Sequence, residues 1–182
     1  IENHEAAYKT RRGQYETYRQ EVDNHDSLSE TYAEIDVQIS SNRWRGVPIK
    51  LRTGKRMKEK RTEVVVVFRH AQKMDNQEVN TLTIRLQPNE GIHLDLRVKK
   101  PGFDSVLQTA SMEFDYKRTF EKEAQPDAYE RVLVDAIRGD HSLTTTSQEV
   151  LETWRIVDNV LDEWAKNDDG MVIYKNGSAE LT

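Results

Sequence analysis

The chain has 182 residues, enough for one domain with a real core, and it carries 36% hydrophobic and 32% charged residues with a net charge of −5. It has no cysteine, which excludes a disulfide scaffold, a thiolate metal site and a cysteine nucleophile, and it fits a cytoplasmic protein. The longest uninterrupted apolar run, Val64–Phe68, is far too short to span a membrane, and the polar start Ile1-Glu-Asn-His-Glu5 is no signal peptide.

Residues 1–30 read as a polar lead-in, with a short strand near Gln14 and Tyr15. From Tyr32 the period is two: Ala33, Ile35, Val37 and Ile39 alternate with Glu34, Asp36 and Gln38, as in a half-buried strand. Val47–Leu51 is a second strand. Val64–Phe68, a continuous and mostly β-branched run, is expected in a sheet interior. Three more alternating segments follow: Leu82, Ile84 and Leu86; Ile92, Leu94, Leu96 and Val98; and Met112, Phe114 and Tyr116. The short turns Pro88-Asn-Glu-Gly91 and Lys100-Pro-Gly102 favour antiparallel neighbours. After Pro126 the signal becomes helical. Asp127 caps a helix that ends before Gly139, and Thr146 with Glu149 forms a capping box for a second helix. That second helix carries the apolar stripe Val150, Trp154, Val157, Leu161 and Trp164. Strands first and helices last indicate an α+β fold: a large, mostly antiparallel sheet (31–118) with two helices (126–166) packed on one face.

The polar positions of these strands mix acids and bases: Glu34, Asp36, Gln38, Arg85, Gln87, His93, Asp95, Arg97, Glu113, Asp115 and Lys117. They suit either a solvated sheet face or a polar interface between two copies, where complementary charges fix register.

Familiar cofactor chemistry is missing. The glycines at 13, 46, 54, 91, 102, 139, 170 and 177 are too widely spaced for a dinucleotide or phosphate loop. His4, His25, His70, His93 and His141 form no paired metal spacing. His93 and Asp95, two apart on one strand face, read as a surface charge pair. Charge is concentrated elsewhere. Between Arg43 and Arg61 there are nine Lys or Arg and one acid, Glu59, about +8 locally on a chain whose remainder is about −13. Within this run Arg52, Lys55, Arg56, Lys58, Lys60 and Arg61 suit a phosphate, sugar hydroxyls or solvent. Gly54 is expected to turn the chain so that Lys55 projects from the strand end. With one aromatic in the run, Trp44, and an acidic remainder, nucleic acid is not the expected partner.

The order of residues says more than their charge. Arg43-Trp-Arg-Gly-Val-Pro-Ile-Lys-Leu-Arg-Thr-Gly-Lys55 resembles a signature of glucose-6-phosphate dehydrogenases, in the domain after their coenzyme domain. The resemblance runs along nearly the whole chain through Gly13-Gln-Tyr15, Ser29-Glu-Thr31, Ile84-Arg-Leu-Gln-Pro-Asn-Glu90, Lys99-Lys-Pro-Gly102, Asp127-Ala-Tyr-Glu-Arg131 and Trp154-Arg-Ile156. Each piece is weak alone; the ordered series is specific.

The resemblance implies that residues 1–182 are a single C-terminal substrate and dimerisation domain, cytoplasmic, cut from an enzyme that oxidises glucose 6-phosphate to 6-phosphogluconolactone with NADP. It implies a homodimer through the sheet. It also implies that the catalytic histidine, the phosphate-gripping motif and the NADP site lie upstream, so this chain holds no catalytic residue, no metal and no activity by itself. The start at Ile1 instead of Met agrees with a piece of a longer chain. Lys55 and Lys60 fall on two lysines of the family's sugar site, and Gln87 falls on a position near substrate in some members. Their implied role is to hold sugar oxygens in place. Arg52, Arg61 and Arg85 resemble part of a second, structural NADP site of animal members. His93 and Asp95 replace its usual Tyr and Lys and the tail stops at Thr182, so no structural NADP is expected. Ser40, Asn42, Thr144, Thr146 and Gln148 also depart from the usual pattern. The competing reading is a stand-alone oligomerisation or ligand-binding module without catalytic activity.

Overall fold

The computed structural model describes residues 9–69, 79–121, 127–142 and 144–181. His4, His70 and Pro126 lie outside the described residues. The chain forms two compact units, Ile1–Glu59 with Val132–Thr182, and Lys60–Arg131.

The first unit is built on a four-stranded sheet ordered β3-β2-β1-β8, from β1 (Thr10–Tyr15), β2 (Tyr32–Val37), β3 (Ile49–Gly54) and β8 (Met171–Tyr174). β2 is antiparallel to β1 and β3, while β8 runs parallel to β1. The expected strand at Gln14 and Tyr15 is therefore a central strand of a sheet. β8 was not among the expected strands. The second expected strand lies two residues later than its apolar run suggests, at Ile49–Gly54.

The second unit is an antiparallel meander ordered β4-β5-β6-β7, from β4 (Thr62–Val67), β5 (Thr81–Gln87), β6 (Gly91–Lys99) and β7 (Leu107–Asp115). The two hairpin turns form where Pro, Asn and Gly lie: Asn89 takes a positive φ, and the Lys100 N–H donates to the Val106 carbonyl at 2.8 Å. The strands thus divide between two sheets of four. The β-branched run also sits differently from expectation. β4 is at the sheet edge and Val64–Val67 are exposed. A β-branched run favours a strand wherever it lies; composition does not say which side gains a neighbour.

Two one-turn helices, α1 (Tyr18–Glu21) and α2 (Tyr116–Thr119), follow β1 and β7. α3 (Ala128–Arg138) begins where the Asp127 N–H donates to the Glu130 carboxylate, and it stops before Gly139, whose φ is +67°. α4 (Ser147–Trp164) opens on the expected capping box. Thr146 Oγ1 accepts from the Glu149 N–H, and the Glu149 carboxylate accepts from the Thr146 N–H. These hydrogen bonds also hold Glu149 below the usual carboxylate pKa.

The expected cover of strands by helices is met in the first unit at the end of α4. There Val160 is buried and Trp164 half-buried, while Val150 and Trp154 at the other end are exposed, as are Val132, Leu133 and Ile137 of α3. The contact is anchored by Arg12 of β1, 2% exposed. Its guanidinium donates to the carbonyls of Trp164, Asn167 (2.5 Å) and Asp169 (3.1 Å), and lies 5.8 Å from the Trp164 ring centre. A helix end leaves carbonyls without partners and carries partial negative charge, so a buried cation there satisfies both.

The compact core is tyrosine-rich: Tyr15, Tyr32, Tyr174 and Leu181, with Tyr18, Met57 and Val172 against them. The rings meet edge to face at 6.1 to 6.4 Å around Tyr174. Every buried residue among those described belongs to this first unit. Among the described residues no helix is long and apolar enough to cross a membrane.

Candidate functional site

The basic segment leaves β3 at Gly54, and its charges are not all available. Glu34 of β2 faces Arg52 in the strand register, and Asp36 faces Lys50. Lys50 Nζ lies 2.6 Å from Glu34 Oε1 and 3.2 Å from Asp36, and Arg52 Nη2 lies 2.9 Å from Glu34 Oε2. Glu34 is 4% exposed, which corrects the expectation of a solvated Glu34 face: here the Tyr32 and Glu34 side of β2 is the more covered one. Burial opposes ionisation of Glu34, yet hydrogen bonds from Lys50 and Tyr32 and the charge of Arg52 outweigh it and lower its pKa. The same contacts, with Glu34 first and Asp36 second, raise the pKa of Lys50. The signal was present in the sequence as Glu34-x-Asp36 against Lys50-x-Arg52, two opposite charge pairs at period two.

Arg56 is also engaged. It lies 3.3 Å from Glu21 and 5.6 Å from the centre of the Tyr15 ring. Hydrogen bonds from Thr17 and Tyr15, joined by the charge of Arg56, lower the Glu21 pKa. Lys50, Arg52 and Arg56 are thus matched by acids from outside the run, and the patch is less positive than its composition.

Lys55 is placed by its main chain. Its N–H donates to the Thr31 carbonyl at 2.8 Å, and its carbonyl accepts from the Tyr174 hydroxyl at 2.8 Å. The next residues are strapped by the strand end: the Gly177 N–H donates to the Arg56 carbonyl at 2.8 Å, and the Lys58 N–H to the Ser178 carbonyl at 3.0 Å. The left-handed residue of this turn is Arg56, with φ +55°, and not Gly54. Gly54 is required for space: a Cβ there would stand 2.8 Å from Tyr32 Cδ2 and 3.0 Å from Met57 Cγ.

The motif residues from the start of the chain interlock beneath this turn. Gln14, fully buried, donates from Nε2 to the carbonyls of Ser27 (2.9 Å) and Ser29 (2.7 Å) and accepts from Arg19 Nε (2.8 Å). The Thr31 N–H donates to the Gly13 carbonyl, and the Tyr15 N–H to Thr31 Oγ1. So Gly13-Gln-Tyr15, Ser29-Glu-Thr31 and Leu51-Arg-Thr-Gly-Lys55, distant in sequence, meet at one place. Tyr174 completes it. Tyr174 is not among the expected site residues, although Met171–Tyr174 followed by Asn176-Gly177 has the form of a short strand and turn.

Lys60 and Gln87 belong to the second unit. Gln87 ends β5 and pairs with Thr62, two residues after Lys60, so both lie at the same end of that sheet, and both are exposed. Of the arginines weighed for a structural coenzyme, Arg52 is committed to Glu34, Arg61 Nε lies 3.4 Å from Glu63, and Arg85 pairs in register with Glu63. His93 and Asp95 do meet, at 3.0 Å, and Ser111 donates to the same Asp95 oxygen at 2.5 Å. The Ser111 hydrogen bond first, then His93, lower the Asp95 pKa. Among the described residues no group of three or more His, Cys, Asp or Glu is placed to hold a metal ion.

The fold and this turn define an α+β domain of two mostly antiparallel sheets with a motif-locked basic turn at one strand end. The family model for the C-terminal domain of glucose-6-phosphate dehydrogenase matches residues 1–181, and the chain belongs to that family. A glucose-6-phosphate 1-dehydrogenase of Dickeya dadantii is 39% identical across a match covering 85% of this chain and 33% of that protein. The cytoplasmic glucose-6-phosphate 1-dehydrogenase 5 of Arabidopsis thaliana is 36% identical, covering 91% and 33%. A solved glucose-6-phosphate dehydrogenase in complex with its substrate glucose-6-phosphate superposes with a TM-score of 0.83 at 32% identity, covering 96% of this chain and 40% of that one. The chain spans about a third of the length of these curated relatives.

Proposed function

We propose that residues 1–182 act as the substrate and dimerisation domain of a cytoplasmic enzyme that oxidises glucose 6-phosphate to 6-phosphogluconolactone. Lys55, on the first unit, hydrogen-bonds sugar oxygens, which contributes to the rate by positioning and not by proton transfer; Lys60 and Gln87, on the second unit, carry the same proposed role. The base that takes the hydroxyl proton, and the NADP that accepts the hydride, belong to residues outside this chain. The observation that carries the reading is the Lys55 turn: its main chain is fixed by Thr31 and Tyr174, which fixes the point from which the lysine side chain extends. Membership of the family and the likeness to a substrate-bound relative support the choice of sugar phosphate.

The homodimer is proposed through the sheet of the second unit. Its polar face, on which Arg85, His93, Asp95, Arg97 and Glu113 lie, mixes acids and bases that can fix the register of two copies.

The test uses the full-length dehydrogenase that carries this chain. Lys55→Ala should raise the KM for glucose 6-phosphate about tenfold or more, leaving the KM for NADP unchanged. An unchanged sugar KM rejects the site. The 182-residue chain by itself should form no NADPH from glucose 6-phosphate; turnover there rejects the division of labour.

A further inference from the structure

We propose that Tyr174 is a positioning residue for substrate binding, acting with Thr31 through the main chain of Lys55; the inference rests on the reading that Lys55 holds the sugar.

Counting protons fixes the direction of this network. The Tyr174 hydroxyl has one hydrogen and three oxygen neighbours: the Lys55 carbonyl at 2.8 Å, Thr31 Oγ1 at 2.9 Å and the Thr31 carbonyl at 3.1 Å. The Thr31 carbonyl already accepts the Lys55 N–H, and Thr31 Oγ1 already accepts the Tyr15 N–H. Thr31 Oγ1 has its own hydrogen, for which Tyr174 at 2.9 Å is a better acceptor than the Gly13 carbonyl at 3.4 Å. The consistent chain is Tyr15 N–H to Thr31 Oγ1, Thr31 O–H to Tyr174 Oη, and Tyr174 O–H to the Lys55 carbonyl. Lys55 is therefore clamped at its N–H by Thr31 and at its carbonyl by Tyr174.

The clamp is stiff. Tyr174 is 3% exposed and Thr31 6%. Rings of Tyr15 and Tyr32 pack edge-on against Tyr174, and Tyr32 fills the space above Gly54. A lysine side chain has four rotatable bonds, so a ligand that orders it benefits when the backbone is already fixed. Tyr174 does not touch the ligand in this account. It removes one source of disorder from the residue that does.

In the full-length dehydrogenase, Tyr174→Phe should raise the sugar KM about three- to tenfold and leave the coenzyme KM unchanged. Phe keeps the packed ring, so the change isolates the hydroxyl. A purely structural role would lower the active fraction, reducing kcat with both KM values unmoved, and that result overturns the inference. The decisive measurement is the double variant. If Tyr174 acts through Lys55, Tyr174→Phe adds nothing to the sugar KM in a Lys55→Ala background; additive effects reject the mechanism. If Lys55→Ala alone leaves the sugar KM unchanged, the substrate reading fails and takes this inference with it. If Tyr174→Phe fails to fold, Thr31→Val, which removes the partner hydroxyl at constant shape, should give the same selective rise, and Thr31→Ser should restore it.

Discussion

The two sheets have similar strand counts and different interiors. In the sheet ordered β3-β2-β1-β8, Arg12, Gln14, Tyr15, Tyr32, Glu34 and Tyr174 are all buried, and half of them are polar. In the sheet ordered β4-β5-β6-β7 none of the described residues is buried, although its apolar alternation is the cleaner of the two. Alternation makes a sheet face sticky; burial requires something to cover it. The first sheet gets its cover from α4, Tyr18, Met57 and Leu181 of its own unit. The second has no buried residue among those described.

Four changes would break or sharpen this contrast, each read by urea unfolding. The largest effect is expected for Arg12→Ala, about 3 kcal/mol, because three carbonyls beyond and at the end of α4 lose their buried donor. A loss below 1 kcal/mol (roughly the value of an ordinary exposed contact) would mean the first core does not depend on its polar anchor.

Next is Glu34→Gln, with a loss of about 1.5 kcal/mol at neutral pH as Lys50 and Arg52 lose the charge they share. Because Glu34 titrates below its ordinary value when folded, its contribution is fully present above the ordinary carboxylate range. It is lost as pH falls through the lowered folded value. The Gln variant should therefore show a flatter acid limb of stability against pH, and an unchanged limb would count against an ionised Glu34 in the core.

Thr146→Ala should cost about 1 kcal/mol through the lost capping box. That tests whether the exposed N-terminal half of α4 relies on local hydrogen bonds in place of packing. The smallest effect is expected for Met112→Ala on the second sheet, within about 0.5 kcal/mol for monomeric chain. The same change, on the face opposite the proposed polar interface, should leave self-association measured by sedimentation unchanged. A large loss in the monomer would show that the second sheet has a core of its own.

Much of the fold was legible because local rules and tertiary structure agree there. Pro, Asn and Gly fixed the meander turns, and Thr146 with Glu149 fixed the start of α4 to the residue. The division into two sheets was not legible, since nothing local in Val64–Val67 distinguishes an edge strand from an interior one. Nor was the first core, because a polar sequence such as Arg11-Arg-Gly-Gln14 has no apolar period. Its burial follows from partners more than a hundred residues away: the Trp164 carbonyl for Arg12 and the Tyr174 ring for Tyr15.

The same division applies to the candidate site. The order of residues alone determined the family and singled out Lys55, Lys60 and Gln87, since a motif is a linear object. What holds Lys55 in place was decided by the tertiary structure. Its donor and acceptor come from Thr31 and from Tyr174, at the far end of the chain, and only folding brings those hydroxyls within hydrogen-bond distance. Charge behaves likewise: composition counted nine bases, and the fold matched Lys50, Arg52 and Arg56 with Glu34, Asp36 and Glu21. Coulomb attraction falls with distance, and distance between residues far apart in sequence is a property of the fold.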